Sequence, residues 1–392
     1  MGGGPGGLYA ATLLARRGFD VALYEEHASS GDPVHCTGVL AADAFDEFQL
    51  PRSVVLNALR TARFHSPAGR SVSYSTEQIE AVAIDRLRLD RLLFAEAESA
   101  GASLAVGRRV DDVHVEREGV TLRFRGGDEV RARVCVLACG ANYALQRRLG
   151  LGLPPVYMQS AQLELPAGRE GDVELYFGRS VAPNGFAWVV PVHRPEGWHA
   201  RIGLMCETES AGYFRRFAAR VARPWSLRGE VDAVPRQKLL PLAPIPRTYA
   251  DRVLAVGDAG GIVKATTGGG IYYSLLSASV AVHTLEQALP RDAVDRASLR
   301  GYERTWKRRL GGEIRAQQRL RTLAHRMTDG DIEALFELAR TDGVMPIVRE
   351  HARFNQHRRV ILALLRHPPA RRVLLGRLRA RAVEPVDVAS HG

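Results

Sequence analysis

MGGGPGGLYAATLLARRGFDVALYEEH (1–27) holds, in order, a glycine-rich turn, a helix, a strand and an acid. Gly2, Gly4 and Gly7 satisfy the spacing G-x-G-x-x-G, with Gly6 inside it. Such a match is weak alone, and its surroundings carry the argument. Residues 8–17 are strong helix formers with an apolar face, and Gly18 follows as a C-cap. Residues 21–24 form a short apolar run ending in Glu25 and Glu26, and Glu25 lies 18 residues after Gly7. This order and spacing match the turn that binds a dinucleotide. Its glycines let the backbone approach a pyrophosphate, and the helix N-terminus supplies unpaired N–H groups and positive dipole. Glu25 then accepts from ribose hydroxyls. The competing reading is a glycine-rich leader before an ordinary helix.

In such a fold a central parallel strand, buried on both faces, precedes the glycines. No sequence for it stands before Gly2, and the expectation is that the coding start lies several residues upstream of Met1.

Further along, IDRLRLDRLLFAEAESAGASL (84–104) reads as a helix with Arg86 at its start. That position suits a nucleotide phosphate or ribose, although one arginine in an arginine-rich chain is more simply a solvated surface residue. Residues 110–126 alternate like antiparallel strands joined around Gly119. Residues 131–150 give a buried strand, then Cys139-Gly140-Ala141 and a helix. Residues 251–289 are the most specific: a short strand, Gly257-Asp258, a loop, then Gly268-Gly269-Gly270 opening a long helix. An Asp directly after a strand can hold a polyol hydroxyl, and a glycine triplet at a helix start turns N–H groups towards an anion.

GDAGGIVKATTGGGIYYSL, beginning at Gly257, resembles the geranylgeranyl reductase family of flavoproteins, with its GDA…K-x-TTGGGI segment. Aromatic-ring hydroxylases share that fold but usually carry His and Pro after the GDA, where Gly260, Lys264, Thr266 and Thr267 stand here. The resemblance extends to GDPVHCTGVL (31–40), IDRLRLD, CGAN and NGFAWVVPV (184–192), and spans roughly residues 1–290. It departs at Thr37, where Gly or Ala is common, and at Gly203-Leu204-Met205, where the family has Gly-x-Gly.

The resemblance implies an α/β fold: a Rossmann-like FAD-binding domain, an inserted antiparallel β-sheet substrate domain and a C-terminal helical region. The expected boundaries are 1–150 and 240–290 for the discontinuous FAD-binding domain, 151–239 for the sheet, and 291–392 for the helices. It implies FAD contacts at Gly2, Gly4, Gly6, Gly7, Glu25, Cys36, Thr37, Arg86, Val110, Gly257, Asp258, Gly269, Gly270 and Ile271. It places substrate against Phe186, Trp188 and Pro191. The aromatic residues Tyr157, Tyr176, Phe177, Phe186 and Trp188 also suit a long apolar ligand by their own character, although most of them are expected to be ordinary sheet core, with Trp188 the best candidate for the pocket.

Composition agrees with a globular chain: 392 residues, 46% hydrophobic and 25% charged. It excludes a disordered chain, a coiled coil and a disulfide miniprotein. Four cysteines with no C-x-x-C pair give neither a disulfide framework nor a zinc site, and fit a reducing cytosol. The net charge is +11, from 51 arginines and three lysines against 43 acids. Residues 349–381 hold ten arginines against Glu350 alone, and windows there place Leu and Val opposite Arg. That pattern suits peripheral contact with an anionic membrane, on the inner face of the cell membrane, as well as a solvated basic face. No recognition motif accompanies the charge, so nucleic acid is not expected. The last ten residues read as disordered.

The expected reaction is reduction of C=C bonds in a polyprenyl chain by hydride from reduced FAD. Cys36 is the candidate proton donor, since an ordinary thiol is mostly protonated at neutral pH; the alternative is that it only packs against the flavin. The external reductant, NAD(P)H or ferredoxin, leaves no separate motif. One rival is a flavin monooxygenase or halogenase of the same fold. The other is a non-catalytic lipid-binding relative.

Overall fold

The computed structural model describes residues 1–341 and 343–380; Arg381 and the last ten residues lie outside them. The first helix, Pro5–Ala15, opens with proline at its first turn, where no N–H is needed. It buries Leu8, Ala11 and Leu14 in a core shared with the helix Ile271–Ala288. The two approach closely: a Cβ on Gly6 would lie 2.2 Å from Ser274 Oγ. That approach requires glycine at position 6.

Two parallel strand pairs flank the first helix: Ala22–Tyr24 with Ser103–Ala105, and Cys135–Leu137 with Val253–Ala255. Met1 and Gly2 run between them. Gly2 N donates to Tyr24 O at 2.8 Å, the Met1 amino group to Val136 O at 3.0 Å, and Ala138 N to Met1 O at 2.8 Å. These residues thus sit in the central parallel row, directly ahead of the glycine turn.

A seven-stranded sheet forms the second layer. Its spatial order is Arg236–Pro241, Tyr157–Pro166, Gly197–Cys206, Phe186–Arg194, Val173–Tyr176, Thr61–His65, Ser71–Ser75. All neighbours are antiparallel except Val173–Tyr176 with Thr61–His65. The sheet therefore draws a hairpin from residues 61–75, which the sequence reading groups with the nucleotide-binding part, and its strand Arg236–Pro241 crosses the expected boundary at 239.

One face of the sheet packs Ala161, Ile202 and Leu204 beneath the helix Ser210–Ala222, against Phe214 and Phe217. The other face presents Met158, Trp188, Val190 and Met205 towards Ala83, Leu242 and Val263 of the nucleotide-binding part.

The chain then forms the helix Arg296–Ala324, buried through Leu299, Tyr302, Trp306, Leu310 and Ile314, and the helices Asp329–Thr341, Val344–His351, Arg358–Arg366 and Pro368–Ala380. No helix among the described residues is long and apolar enough to cross a membrane.

Candidate functional site

The glycines of the first turn have different tasks. Gly2 has φ +102°, and a Cβ there would lie 2.4 Å from Ala138 O. A Cβ on Gly7 would lie 2.0 Å from Gly2 O. Gly4, the helix N-cap, has no side-chain cap, and a Cβ on it would meet nothing within 4 Å. The motif glycine that lets a phosphate approach the backbone thus faces open space. Gly3 N donates to Glu25 Oε2 at 2.6 Å and His27 N to Glu25 Oε1 at 2.9 Å. The buried Glu25 carboxylate is thereby fixed against the turn. Beside it runs a cleft lined by Glu26, His27, Gly107, Arg108, Arg109 and Arg125, and Val110 begins the next strand.

Arg86 begins the helix Arg86–Ser99, and its Nη2 donates to the buried Asp90 carboxylate at 2.9 Å. Burial works against its charge, but the Asp90 carboxylate outweighs that and holds the guanidinium charged. Gly38 N donates to Cys36 Sγ at 3.3 Å, and Thr37 Oγ1 donates to Gln162 Oε1 at 2.9 Å.

A half-buried network around the buried Arg201 clamps this loop to the sheet. Arg201 Nη1 donates to Thr37 O at 2.6 Å and Ile84 O at 2.8 Å, while its Nε donates to Glu164 Oε2 at 2.7 Å. Arg194 Nε donates to Glu164 Oε1 at 2.7 Å, and its Nη1 to Asp85. Burial opposes the charge on Glu164, but Arg194 and Arg201 bring its pKa down from 4.5 to about 2. Sequence reasoning missed this network. Its one signal is an arginine within the apolar strand HARIGLMC (199–206).

Asp258 follows the strand Val253–Ala255 and pairs with Lys238 at 3.2 Å. Gly257 has φ +54° and, like Gly6, faces Ser274 Oγ, which would lie 2.3 Å from a Cβ on it. A Cβ on Gly270 would lie 2.6 Å from Asp258 Oδ1, and Ile271 then begins the long helix. The strand Arg236–Pro241 links two segments: Arg236 Nη1 donates to Val34 O at 3.0 Å, and Lys238 reaches Asp258. The glycine turn, the Cys36 loop and the Asp258–Gly270 loop, far apart in sequence, are thus neighbours. The open approach at Gly4, the fixed Glu25, Asp258 and the Gly269–Gly270 turn fit an FAD molecule.

On the sheet, Trp188 is 9% exposed and its indole Nε1 finds no partner among the described residues. Phe186 packs beside it, ring centroids 5.6 Å apart. A Cβ on Gly203 would lie 2.4 Å from the Trp188 ring. Glycine there makes room for the indole even though the family's second glycine is Met205. Phe177 continues the aromatic row, 6.1 Å from Phe186 and 6.2 Å from Phe336. One expectation needs correcting. Pro191 shares the strand of Trp188, but alternation turns it to the opposite face, with Ala187 and Val189. Tyr176 also lies on that far face, against Phe217, and Tyr157 packs on Tyr143.

The helix Arg296–Ala324 also reaches the site, a role the sequence reading did not give it. Gln317 Oε1 accepts from Ala265 N at 2.8 Å, and Arg321 Nη2 donates to Asn184 O at 3.3 Å. With Glu313, which accepts from His357 N, they form a stripe at four-residue spacing. That spacing was the available signal.

Residues 1–36 match the NAD(P)-binding Rossmann-like domain, and residues 40–329 match the tryptophan halogenase family. The chain is similar to digeranylgeranylglycerophospholipid reductase 2 of Methanothermobacter thermautotrophicus, at 30% identity over 86% of this chain and 89% of the relative. It superposes on a geranylgeranyl bacteriochlorophyll reductase-like protein of Thermoplasma acidophilum with a TM-score of 0.82 and 22% identity, covering 97% of each chain. A halogenase, PltM, solved in complex with FAD, gives a TM-score of 0.66 at 14% identity, over 98% of this chain and 92% of that one. The chain belongs to the geranylgeranyl reductase family, on the flavoprotein fold that it shares with the tryptophan halogenases.

Proposed function

We propose that this enzyme reduces carbon–carbon double bonds in the polyprenyl chain of a glycerophospholipid, with FAD as its resident cofactor. The observation that carries the reading is the convergence of the glycine turn, the Cys36 loop and the Asp258–Gly270 loop opposite the Trp188 face of the sheet. The named activity of the relative supports the substrate class. When bound, FAD supplies the hydride.

The chain's own residues do the rest. Glu25 and Asp258 orient the cofactor's hydroxyls, and the Gly269–Gly270 N–H groups favour negative charge. Trp188 and Phe186 hold the apolar chain and keep water from an alkene that is otherwise unactivated. Cys36 Sγ, fixed by Gly38 N–H, delivers the proton to the second alkene carbon. Arg86 beside it is already neutralised by Asp90. Electrons come from an external donor, NAD(P)H or a ferredoxin.

The test is product mass. FAD-loaded protein is reduced anaerobically with dithionite and given a geranylgeranyl phospholipid. Gain of hydrogen pairs is expected. An unchanged lipid, with oxygen entering a substrate once air is admitted, moves the protein to the monooxygenases. In the same assay Cys36→Ala keeps FAD and turns over roughly 10²–10⁴-fold more slowly. Full turnover by that variant removes Cys36 from the chemistry.

The basic C-terminal helices serve access to a lipid surface. Arg349, Arg353, Arg358, Arg359, Arg366, Arg371 and Arg372 are all exposed, and Leu362 beside them is 38% exposed. Each basic residue near anionic headgroups contributes about 1 kcal/mol. Replacing Arg358, Arg359 and Arg366 with Gln is expected to weaken binding to phosphatidylglycerol vesicles about 100-fold in co-sedimentation. Wild-type protein that leaves such vesicles in the supernatant at low salt refutes membrane contact.

A further inference from the structure

One buried amine has no task in the chemistry above. Lys264 lies in the loop between Asp258 and the glycine triplet and is 4% exposed. Its Nζ donates to Phe354 O and Asn355 Oδ1, each at 3.1 Å, and lies 3.8 Å from the Phe354 ring centroid. Among the described residues no carboxylate comes within ion-pairing distance of it. The acids facing it are Asp43, which accepts from Asn355 Nδ2 at 3.3 Å, and Glu313, which accepts from Gln317 and from the His357 and Arg358 N–H groups. His357, bonded to Thr266, is kept neutral by burial, with Lys264 adding to the effect; its pKa falls to about 4.

A buried ammonium without a paired anion is unfavourable, whereas two acceptors satisfy the two N–H groups of a neutral amine. Burial accordingly brings the Lys264 pKa down from 10.5 to about 7, with Asp43 and Glu313 acting against it.

Its placement supplies the second half of the argument. The side chain runs directly behind Gly269: a Cβ there would lie 2.8 Å from Lys264 Cε and 3.5 Å from Nζ. The loop closes on itself, with Lys264 N donating to Gly269 O at 3.1 Å and Gly268 N to Lys264 O at 2.8 Å. On the FAD reading above, the N–H groups of Gly269 and Gly270, at the start of the helix Ile271–Ala288, would favour the negative charge that reduction brings. A charge held by those N–H groups would lie across this glycine turn from the amine. A negative charge nearby favours the protonated amine.

We infer that Lys264 is the charge-compensating group of the site: its amine takes up a proton from solvent when FAD accepts two electrons from the external donor and one proton from that donor or from solvent. The amine becomes an ammonium and releases that proton when the hydride leaves for the substrate. The inference rests on the FAD reading above.

The test is the midpoint potential of the full, FAD-loaded chain, measured by dithionite titration against reference dyes between about pH 6 and 9. Around neutrality the wild-type potential is expected to fall with pH twice as steeply as that of Lys264→Met, which also has a lower potential. Lys264→Arg keeps the higher potential with the shallow slope, because a guanidinium does not release its proton. A merely structural lysine changes the melting temperature of the variants and leaves the slopes equal. Equal slopes overturn the inference. Should the variants fail to hold FAD, proton uptake by the wild type on reduction decides, read with a pH indicator in weak buffer. One proton more per flavin than free FAD supports the inference, and uptake equal to that of free FAD overturns it. A wild-type chain that holds no FAD overturns the cofactor reading itself, and the inference falls with it.

Discussion

Replacing Arg201 with leucine lowers the unfolding free energy by about 2–4 kcal/mol and frees the loop that carries Cys36. The arginine is 5% exposed, and its removal takes the guanidinium donor from two carbonyls, Thr37 O and Ile84 O, while Glu164 keeps Arg194 on both of its oxygens. The loss is that of two charge-assisted hydrogen bonds to carbonyls and one of the two cations on Glu164, more than one contact forgone. Denaturant unfolding of the apo chain measures it, and a loss below about 1 kcal/mol would place the network among solvated surface pairs. The same network sets an acid limit. Glu164 has its pKa depressed from 4.5 to about 2 in the folded chain, so its contribution is fully present above about pH 4.5 and is lost as pH falls towards 2. Arg201→Leu is expected to flatten that acid limb and to leave the pH dependence above 5 unchanged.

Gly4→Ala and Gly7→Val separate cofactor binding from folding. At Gly4 an added methyl meets nothing within 4 Å, so the apo melting curve stays put. The methyl enters the space through which a pyrophosphate approaches the backbone, and FAD affinity falls about 100-fold, equivalent to roughly 2.7 kcal/mol. At Gly7 a Cβ would lie 2.0 Å from Gly2 O and 3.1 Å from Ala138 Cβ, so the turn itself must move. That variant loses about 3 kcal/mol of stability, and FAD binding with it. Apo melting temperature and FAD fluorescence titration give both quantities. A Gly4→Ala protein that binds FAD as tightly as the wild type would mean that the dinucleotide does not lie on this turn.

The glycine turn, Glu25 and the Asp258–Ile271 loop were legible in sequence because their constraints are local. A residue without Cβ at a fixed spacing, next to a strand end or helix start, states its own geometry. Arg201 and Glu164 were not legible, since a charged residue inside a strand reads as an exposed position until its cross-strand neighbours are known. Lys264, Gln317 and Asn355 meet across more than fifty residues of chain, and no spacing announces that. Pro191 was assigned by motif membership; strand alternation separates it from Trp188 on the same strand. The hairpin 61–75 joined the large sheet through a parallel pairing with Val173–Tyr176, a long-range choice invisible in its own polar alternation.

The pairing of the helix Pro5–Ala15 with Ile271–Ala288 has a consequence for how the chain is made. Ala15 and Ile271 are separated by 256 positions, and the row of Met1 and Gly2 also waits for Val136. At about 5–20 residues per second, the ribosome leaves the glycine turn without its packing partner for roughly 13–50 s. Through that interval its apolar face has only part of its native cover, from the helix Arg86–Ser99, whose Leu89 and Leu93 share its core, and a chaperone or the nascent chain itself must shield the rest. Cofactor capture is therefore a late event in synthesis, after the helix 271–288 has left the exit tunnel.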